Sequence, residues 1–149
     1  MLLIFAFAVV AAVGLLAYIR LAPSDPAVWH VSPVAATEAR QGDCPAAIKT
    51  VSGGARASCQ LSGTPAEVLS RLDTIALSGP RTIRLAGSPQ SGRITWITRS
   101  AMLGFPDYTT AEASPVLGGT RLDIFARQRF GSQDWGVNAA RVRKWLDGL

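Results

Sequence analysis

The sequence predicts an α+β domain of two layers, with two helices packed on one face of a four-stranded antiparallel meander. Two segments with apolar residues at helical spacing, four strand-like runs between them and turn-rich joints between the runs support this fold. One transmembrane helix is predicted to precede the domain. We expect an anchor at residues 2–20, a proline-rich linker at 21–47 and a single domain at 48–149.

The anchor is predicted from an uncharged run at the N-terminus. Leu2 to Ile19 contains no charged side chain, and as a helix it would span about 27 Å, close to the ~30 Å hydrocarbon core of a bilayer. Tyr18 and Arg20 suit the headgroup interface at the end of this helix. The alternative is a cleaved signal peptide, but nothing basic precedes the run and the residues after it form a poor cleavage site. We therefore expect a retained, single-pass anchor.

The linker is predicted to be extended and to lie over the surface of the domain. It contains prolines among small and acidic residues. Trp29-His30-Val31 is its one apolar point, and we expect these residues to pin the linker to the domain. The prolines are Pro23, Pro26, Pro33 and Pro45.

The two cysteines flank a predicted hairpin. Residues 52–54, Ser-Gly-Gly, are typical of a tight turn, so the two arms would bring Cys44 and Cys59 together. A disulfide there would contribute on the order of 3 kcal/mol, but it would form only in an oxidising compartment. The alternative is two unpaired, buried thiols in a cytosolic protein. We expect the disulfide and a domain outside the cytoplasm, although Arg20 alone favours the opposite orientation.

The first helix of the domain is predicted at about 65–77. Thr64 can cap it, Pro65 suits its first position and Glu67 can complete a capping box. Apolar residues three and four apart form one face, and Gly79-Pro80 ends the helix.

The second helix is predicted at about 136–148, where apolar residues again follow helical spacing. Ser132, Asp134 and Asn138 are candidate caps for its start. Its apolar stripe consists of Val142, Trp145, Leu146 and Leu149. Trp145 is therefore expected to be buried against the sheet.

Four strand-like runs separate the two helices. Their joints are short and rich in glycine, proline and aspartate, so consecutive strands are expected to be antiparallel neighbours. On the last run, apolar and charged residues alternate, which predicts one buried face and one face that is wet or covered by a partner. The runs are 81–86, 93–103, 108–114 and 120–130.

The positive charge is concentrated in the second half of the chain. The net charge is +5; residues 1–80 carry five basic and five acidic residues, whereas residues 81–149 carry ten and five. Such a field favours anionic neighbours, including phospholipid headgroups, but is also typical of an ordinary basic surface. The chain has only two lysines, a modest net charge and a predicted membrane anchor, and these features argue against a nucleic-acid partner.

Familiar catalytic and cofactor patterns are missing from the sequence. The single histidine, His30, lies in the linker, and no Gly-x-Ser-x-Gly elbow is present. Cys44, Cys59 and His30 would supply three zinc ligands at no recognised spacing. The glycines form neither a phosphate-binding loop nor a dinucleotide fingerprint. We expect no cofactor and no metal, and a binding domain is favoured over an enzyme.

Three arginines are the candidate anion-binding residues. Arg99, Arg127 and Arg129 are expected on neighbouring or near-neighbouring strands, and guanidinium forks suit carboxylates and phosphates. The alternative is a structural network of ion pairs and caps that ties the turns to the sheet. Its acidic and amide members would be Asp107, Asp134 and Asn138.

The order of several short segments resembles the bacterial domain-of-unknown-function family 1499. The segments are Thr98-Arg99-Ser100, Gly104-Phe105-Pro106-Asp107-Tyr108, Ile124 to Gly131, and Asp134 to Asn138 with Arg141-Val142. The resemblance covers about residues 64–149, and 22–26 with Trp29-His30 is similar to anchored members. It implies a membrane-anchored domain and no particular activity. Members tend to carry a second acidic residue where this chain has Tyr108, which weakens any proposal of paired carboxylates there.

These observations favour a non-catalytic accessory or ligand-binding domain on a bacterial inner membrane. Its partners would be the membrane and an anionic ligand or another envelope protein. The alternative is a carboxylate-dependent hydrolase of the cell envelope, acting near the turn at 131–138. A concave polar pocket with a carboxyl group of raised pKa would favour the hydrolase, and a fully ion-paired surface would favour the binding domain.

Overall fold

The computed structural model describes residues 1–33, 41–42, 44 and 48–149. The helices are α1 (Leu2–Leu21), α2 (Pro26–Trp29), α3 (Pro65–Ser78) and α4 (Val137–Leu146). The strands are β1 (Gln41–Gly42), β2 (Lys49–Val51), β3 (Gly54–Leu61), β4 (Thr82–Ser88), β5 (Arg93–Arg99), β6 (Pro106–Val116) and β7 (Gly119–Gln128). The predicted α+β class is confirmed.

All the described strands belong to one sheet, in the order β1-β3-β7-β6-β5-β4, with β2 also paired to β3. Every pairing is antiparallel except the short parallel contact between β1 and β3. The predicted meander corresponds to β4, β5, β6 and β7, each of which pairs with the next. β5 ends at Arg99, before the predicted end at Leu103, because the chain turns towards β6 there.

The prediction of only four strands is wrong. β3 pairs with β7 from Gly54 opposite Arg127 to Leu61 opposite Thr120, so six strands lie in line within the described residues. The strand signal of β3 is weak because its side chains are mostly small, whereas strands favour β-branched and aromatic residues. The pairing covers the edge that β7 would otherwise expose.

Helix α3 begins with the predicted capping box. The Thr64 hydroxyl accepts a hydrogen bond from the backbone N–H of Glu67 at 3.4 Å, and the Glu67 carboxylate accepts one from the backbone N–H of Thr64 at 2.8 Å. Two N–H groups at the start of the helix are thereby satisfied locally. The helix then runs to Ser78 and is followed by Gly79-Pro80.

The hydrophobic core lies between the sheet and the helices α3 and α4. Trp96 of β5 is fully buried there, and its ring meets that of Trp145 of α4 edge to face at 5.4 Å. The indole Nε1–H of Trp96 donates to Asp73 of α3 at 2.8 Å, and Asp73 also pairs with Arg84 of β4. The buried indole therefore has both its apolar and its polar partners.

Cys44 and Cys59 form a disulfide, with their Cα atoms 5.4 Å apart. This distance lies within the 4.4–6.8 Å range usual for disulfides. Because Cys59 belongs to β3, the bond fastens the chain that precedes β2 to the interior of the sheet.

Helix α1 is long and apolar enough to cross a membrane. The segment Leu3–Leu21 has a mean hydropathy of 2.3, and only about 6% of its most apolar part is buried inside the protein. Its side chains are exposed over most of its length, and burial begins at its end, at Ile19. Length and composition agree equally with a signal sequence, since both carry an apolar N-terminal helix.

Replacing Trp145 by alanine should lower the free energy of unfolding by about 3–5 kcal/mol, because the side chain is 4% exposed and packs against Trp96. Urea denaturation of the detergent-solubilised protein, followed by circular dichroism, measures the change. Trp135 is 89% exposed, so Trp135→Ala is the matched control and should change stability by less than about 0.5 kcal/mol. Equal losses in the two variants would contradict the packing.

Candidate functional site

The face of the sheet opposite the helices is polar and is covered by the chain that follows α1. Alternate residues of β5, β6 and β7 point to this face, among them Thr95, Tyr108 and Arg127. Residues 22–33, which we call the strap, contact these side chains one after another. The sequence predicts an extended linker at 21–47; its described part includes the helical turn α2, which was not predicted, and residues 34–40, 43 and 45–47 lie outside the described residues.

The central contact of the strap is a stacked pair of aromatic rings. Trp29 lies on Tyr108 with ring centroids 3.8 Å apart and planes 8° from parallel. The Arg127 guanidinium donates to the carbonyl oxygen of Trp29 at 2.7 Å and lies over the indole ring, 5.3 Å from its centroid. The contact thus combines apolar burial, a charge-assisted hydrogen bond and a cation–π interaction.

Histidine and serine side chains of the strap extend this contact across the sheet. His30 Nδ1 lies 2.9 Å from the Thr95 hydroxyl, and the Ser32 hydroxyl donates to Glu112 at 2.6 Å. Burial and the nearby Arg93 lower the pKa of His30, and Glu112 only partly opposes them. His30 is therefore neutral at pH 7.

Glu112 receives both strap and sheet donors. Burial by itself would raise the pKa of Glu112, but the hydrogen bonds from Ser32 and Arg93 outweigh it and lower that pKa. Arg93 Nε lies 2.9 Å from Glu112. The carboxylate is thus ionised and occupied by internal partners.

The predicted arginine set is divided between two places. Arg127 and Arg129 hold the strap: Arg129 donates to the carbonyl oxygen of Pro23 at 2.7 Å and to the Tyr108 hydroxyl at 3.2 Å. Arg99 takes no part in these strap contacts and donates instead to the carbonyl oxygen of Gly104 at 3.0 Å. The first two arginines therefore have internal acceptors, and Arg99 belongs to a separate pocket.

That pocket has a volume of about 560 Å³ and is lined by three arginines, Arg20, Arg81 and Arg99, together with Ile83 and Ser100. We call it the arginine pocket. Pockets of this size commonly hold small-molecule ligands or parts of larger ones. Three guanidinium groups around one open space attract an anion.

Backbone oxygens hold these guanidinium groups in place. Arg20 donates to the carbonyl oxygens of Leu103 and Met102 at 3.2 and 3.3 Å, and Arg81 donates to that of Arg99 at 3.1 Å. Ion pairs within the described part of the chain involve other arginines, so the three charges of the pocket are not neutralised by a carboxylate among those residues. Their positive charge remains available to a ligand.

Arg81 also has an uncommon backbone conformation. Its φ is +59°, in the left-handed region that costs a non-glycine residue on the order of 1 kcal/mol. Such strain occurs often at ligand-binding positions, where the surrounding structure fixes it. The conformation follows Gly79-Pro80 and places Arg81 directly before β4, where its backbone oxygen also accepts from the N–H of Arg99 at 3.0 Å.

The predicted carboxylates and Asn138 form a network at the start of α4. Asp107 of β6 pairs with Arg141 of α4 at 2.9 Å, and Arg141 also donates to the Asn138 side chain at 2.6 Å. The Asp134 carboxylate accepts from the backbone N–H groups of Gly136 and Asn138 at 3.2 and 3.0 Å. Asp134 thereby supplies the acceptors for the first turn of the helix.

The two carboxyl groups have pKa values shifted in opposite directions. Burial raises the pKa of Asp107, against the effect of Arg141. Burial would also raise the pKa of Asp134, but hydrogen bonds from Asn138 and Gly136 outweigh it and lower that pKa. Both side chains already serve internal donors, which is what a structural network requires.

The sequence does not predict Arg20 and Arg81 as pocket residues. It indicates Arg20 as an interfacial side chain and a topological charge, and Arg81 as the first residue of a strand. The signal that could have found Arg81 is the Gly79-Pro80 pair before it, which forces an abrupt turn. Among the described residues, no group of three histidine, cysteine, aspartate or glutamate side chains is arranged to hold a metal ion.

Comparison with known proteins identifies one family model. The model, described as a protein of unknown function (DUF1499), matches residues 30–149. No curated protein and no solved structure matches the chain. The matched range includes the whole sheet, α3 and α4, and it begins within the strap at His30.

Lowering the pH should reduce the stability of the protein because His30 becomes protonated. Because its pKa is lowered in the folded state, the stability it confers is present above its ordinary pKa of about 6.5 and is lost as the pH falls below that value. We expect the urea midpoint to fall between pH 7.5 and 5.5 in the wild type. His30 is the only histidine, so His30→Gln should largely remove the fall. An unchanged pH profile in His30→Gln would contradict this assignment.

Proposed function

Because the chain belongs to the DUF1499 family, for which no function is established, its role must be inferred from its own geometry, and we propose a membrane-anchored, non-catalytic domain that binds an anionic ligand. The arginine pocket is the observation that carries this proposal. It joins Arg20, Arg81 and Arg99 around an open volume of about 560 Å³. The binding group would be a phosphate or carboxylate, the anions that guanidinium groups bind best.

The proposal includes a retained anchor. The end of α1 contributes to the domain: Tyr18 packs against Phe130 with ring centroids 6.2 Å apart, and Arg20 lines the arginine pocket. Cleavage after α1 would remove both residues and open the site. We therefore favour a single-pass protein of a bacterial inner membrane over a secreted one.

The proposed orientation places the domain outside the cytoplasm. The supporting observation is the Cys44–Cys59 disulfide, since such bonds persist in oxidising compartments. Arg20 by itself favours the opposite orientation, but a single arginine is a weak topological signal beside the disulfide.

The alternative function, a carboxylate-dependent hydrolase, would use Asp107 and Asp134. The raised pKa of Asp107 beside the lowered pKa of Asp134 is the observation in its favour, because acid–base pairs often show such a separation. Against it, Asp107 is paired with Arg141 and Asp134 caps α4. We therefore propose binding in preference to hydrolysis.

The retained anchor predicts that the full-length protein stays in the membrane fraction after washing with alkaline carbonate. Apolar burial of α1 in the bilayer is not weakened by high pH, whereas peripheral contacts are. Immunoblotting and intact mass measurement of both fractions check the result. A soluble mature form that begins after Arg20 would contradict the anchor.

Anion binding predicts that inorganic phosphate binds the detergent-solubilised protein and that Arg99→Gln weakens this binding about tenfold or more. A hydrogen bond to a charged group is typically worth about 1.5–3 kcal/mol, and about 1.4 kcal/mol corresponds to a factor of ten. Phosphorus NMR titration at low ionic strength measures the affinity.

The matched control is Arg143→Gln, which removes an equal charge from an exposed position in the last turn of α4. It should leave phosphate binding within about twofold of the wild type, since a distant exposed charge contributes little. Equal weakening in both variants would show that the affinity for phosphate depends only on the net charge of the protein, and the pocket would then not be the binding site.

A further inference from the structure

We propose that the ligand of the arginine pocket is the phosphate group of an anionic phospholipid in the leaflet from which α1 emerges. This inference rests on the anion-binding function proposed above and names the ligand for it. Four features of the structure carry it: the depth of Arg20, the direct junction of α1 with the domain, the apolar side chains at the same end, and the size of the pocket.

Arg20 sets the depth of the pocket in the membrane. It lies in the last turn of α1, two residues after Tyr18, where the uncharged part of the helix ends. Tyrosine and arginine at the end of a spanning helix lie at the level of the headgroups. Because the Arg20 side chain lines the pocket with Arg81 and Arg99, the whole pocket lies at that level.

Helix α1 joins the domain without a flexible linker. Ile19 and Ala22 are each only 6% exposed, and the Arg20 guanidinium is held by the carbonyl oxygens of Met102 and Leu103. Tyr18 of the helix meets Phe130, which also contacts Phe105. The loop at 100–105, which contributes Ser100 to the pocket, is therefore held against the membrane surface.

Apolar side chains are exposed at this end of the domain. Met102 is 85% exposed and Leu103 is 41% exposed in the same loop, and Ile83 at the pocket is 59% exposed. Trp135 is 89% exposed in the loop after β7, the same loop in which Phe130 contacts Tyr18 of α1. Exposed tryptophan, leucine and methionine beside arginines are typical of a surface that enters the interface of a bilayer.

A lipid suits this pocket better than a free ion. The volume of about 560 Å³ is in the range of pockets that hold whole small molecules, so it has room for glycerol and headgroup atoms beside the phosphate. A pocket fixed at the leaflet also meets lipid phosphates at a very high effective concentration, so binding costs less translational entropy than capture of an anion from solution. A dissolved phosphate has neither advantage.

The experiment measures lipid retained by the full-length protein. The wild type is purified in mild detergent and equilibrated with equal amounts of phosphatidylglycerol and phosphatidylcholine, and bound lipid is counted by native mass spectrometry. We expect selective retention of phosphatidylglycerol by the wild type. Arg81→Gln with Arg99→Gln should lower this retention about tenfold or more.

Two further variants separate the pocket from folding and from net charge. Arg81→Lys with Arg99→Lys preserves both charges but not the guanidinium forks, so it should recover part of the retention, and a urea midpoint near that of the wild type in the glutamine variant shows that its loss is not misfolding. Arg143→Gln with Lys144→Gln removes two exposed charges from the last turn of α4 and should retain lipid as the wild type does.

The outcomes distinguish the lipid from the broader proposal. Selective retention that is lost only in the pocket variants supports the lipid assignment. Binding of inorganic phosphate at Arg99 without preference for phosphatidylglycerol overturns the lipid assignment and leaves anion binding intact. Equal loss in the α4 variant overturns the lipid assignment because charge alone would explain it. Absence of both phosphate and lipid binding overturns both proposals.

Discussion

The stacking of Trp29 on Tyr108 is the contact on which the arrangement of the site depends. Helices α3 and α4 cover one face of the sheet, and the other face carries hydroxyls, carboxylates and guanidinium groups. Polar groups on such a face need either water or partners. The strap supplies partners, and the stacked rings, 3.8 Å apart, hold it at the centre of that face.

The strap in turn connects the apolar helix to the sheet. Its carbonyl oxygens accept from Arg127 and Arg129, so each charge is placed on a backbone dipole rather than on a carboxylate. Guanidinium groups tolerate this because they are weakly hydrated and offer several donors. Fixing residues 22–33 also fixes the end of α1, and with it the position of Arg20 in the pocket. The stacking of Trp29 on Tyr108 thus helps to position the arginine pocket, which lies where the strap begins.

Local sequence signals were sufficient for much of the fold. The capping box of α3 depends on Thr64 and Glu67, which are three residues apart, so the pattern is complete within one turn. The meander follows from short joints, which leave antiparallel pairing as the only geometry. The hairpin predicted at residues 52–54 is present as the antiparallel pair β2 and β3. The sequence did not predict β3 as a strand of the main sheet, because Ala55, Ala57 and Ser58 carry little strand preference and its partner β7 is distant in the chain.

The site could be predicted only in part, for a related reason. Strand alternation indicates that Arg127 and Arg129 share a face, but not that the strap covers them. Arg20 and Arg81 are separated by sixty residues of chain. Their meeting depends on how α1 ends against the loop at 100–105, which no periodicity encodes. Contacts between distant segments are set by the packed structure, and residue spacing carries no record of them.

The direct junction of α1 with the domain has a mechanical consequence. A helix that enters its domain without a flexible linker transmits its own tilt, because the buried Ile19 and Ala22 and the held Arg20 move with the sheet. If α1 is retained as an anchor, as proposed, it would tilt in a bilayer thinner than its apolar length. The domain would then lean by a similar angle, and the loops farthest from the membrane would move the most. The orientation of the domain would in that case depend on the thickness of the bilayer.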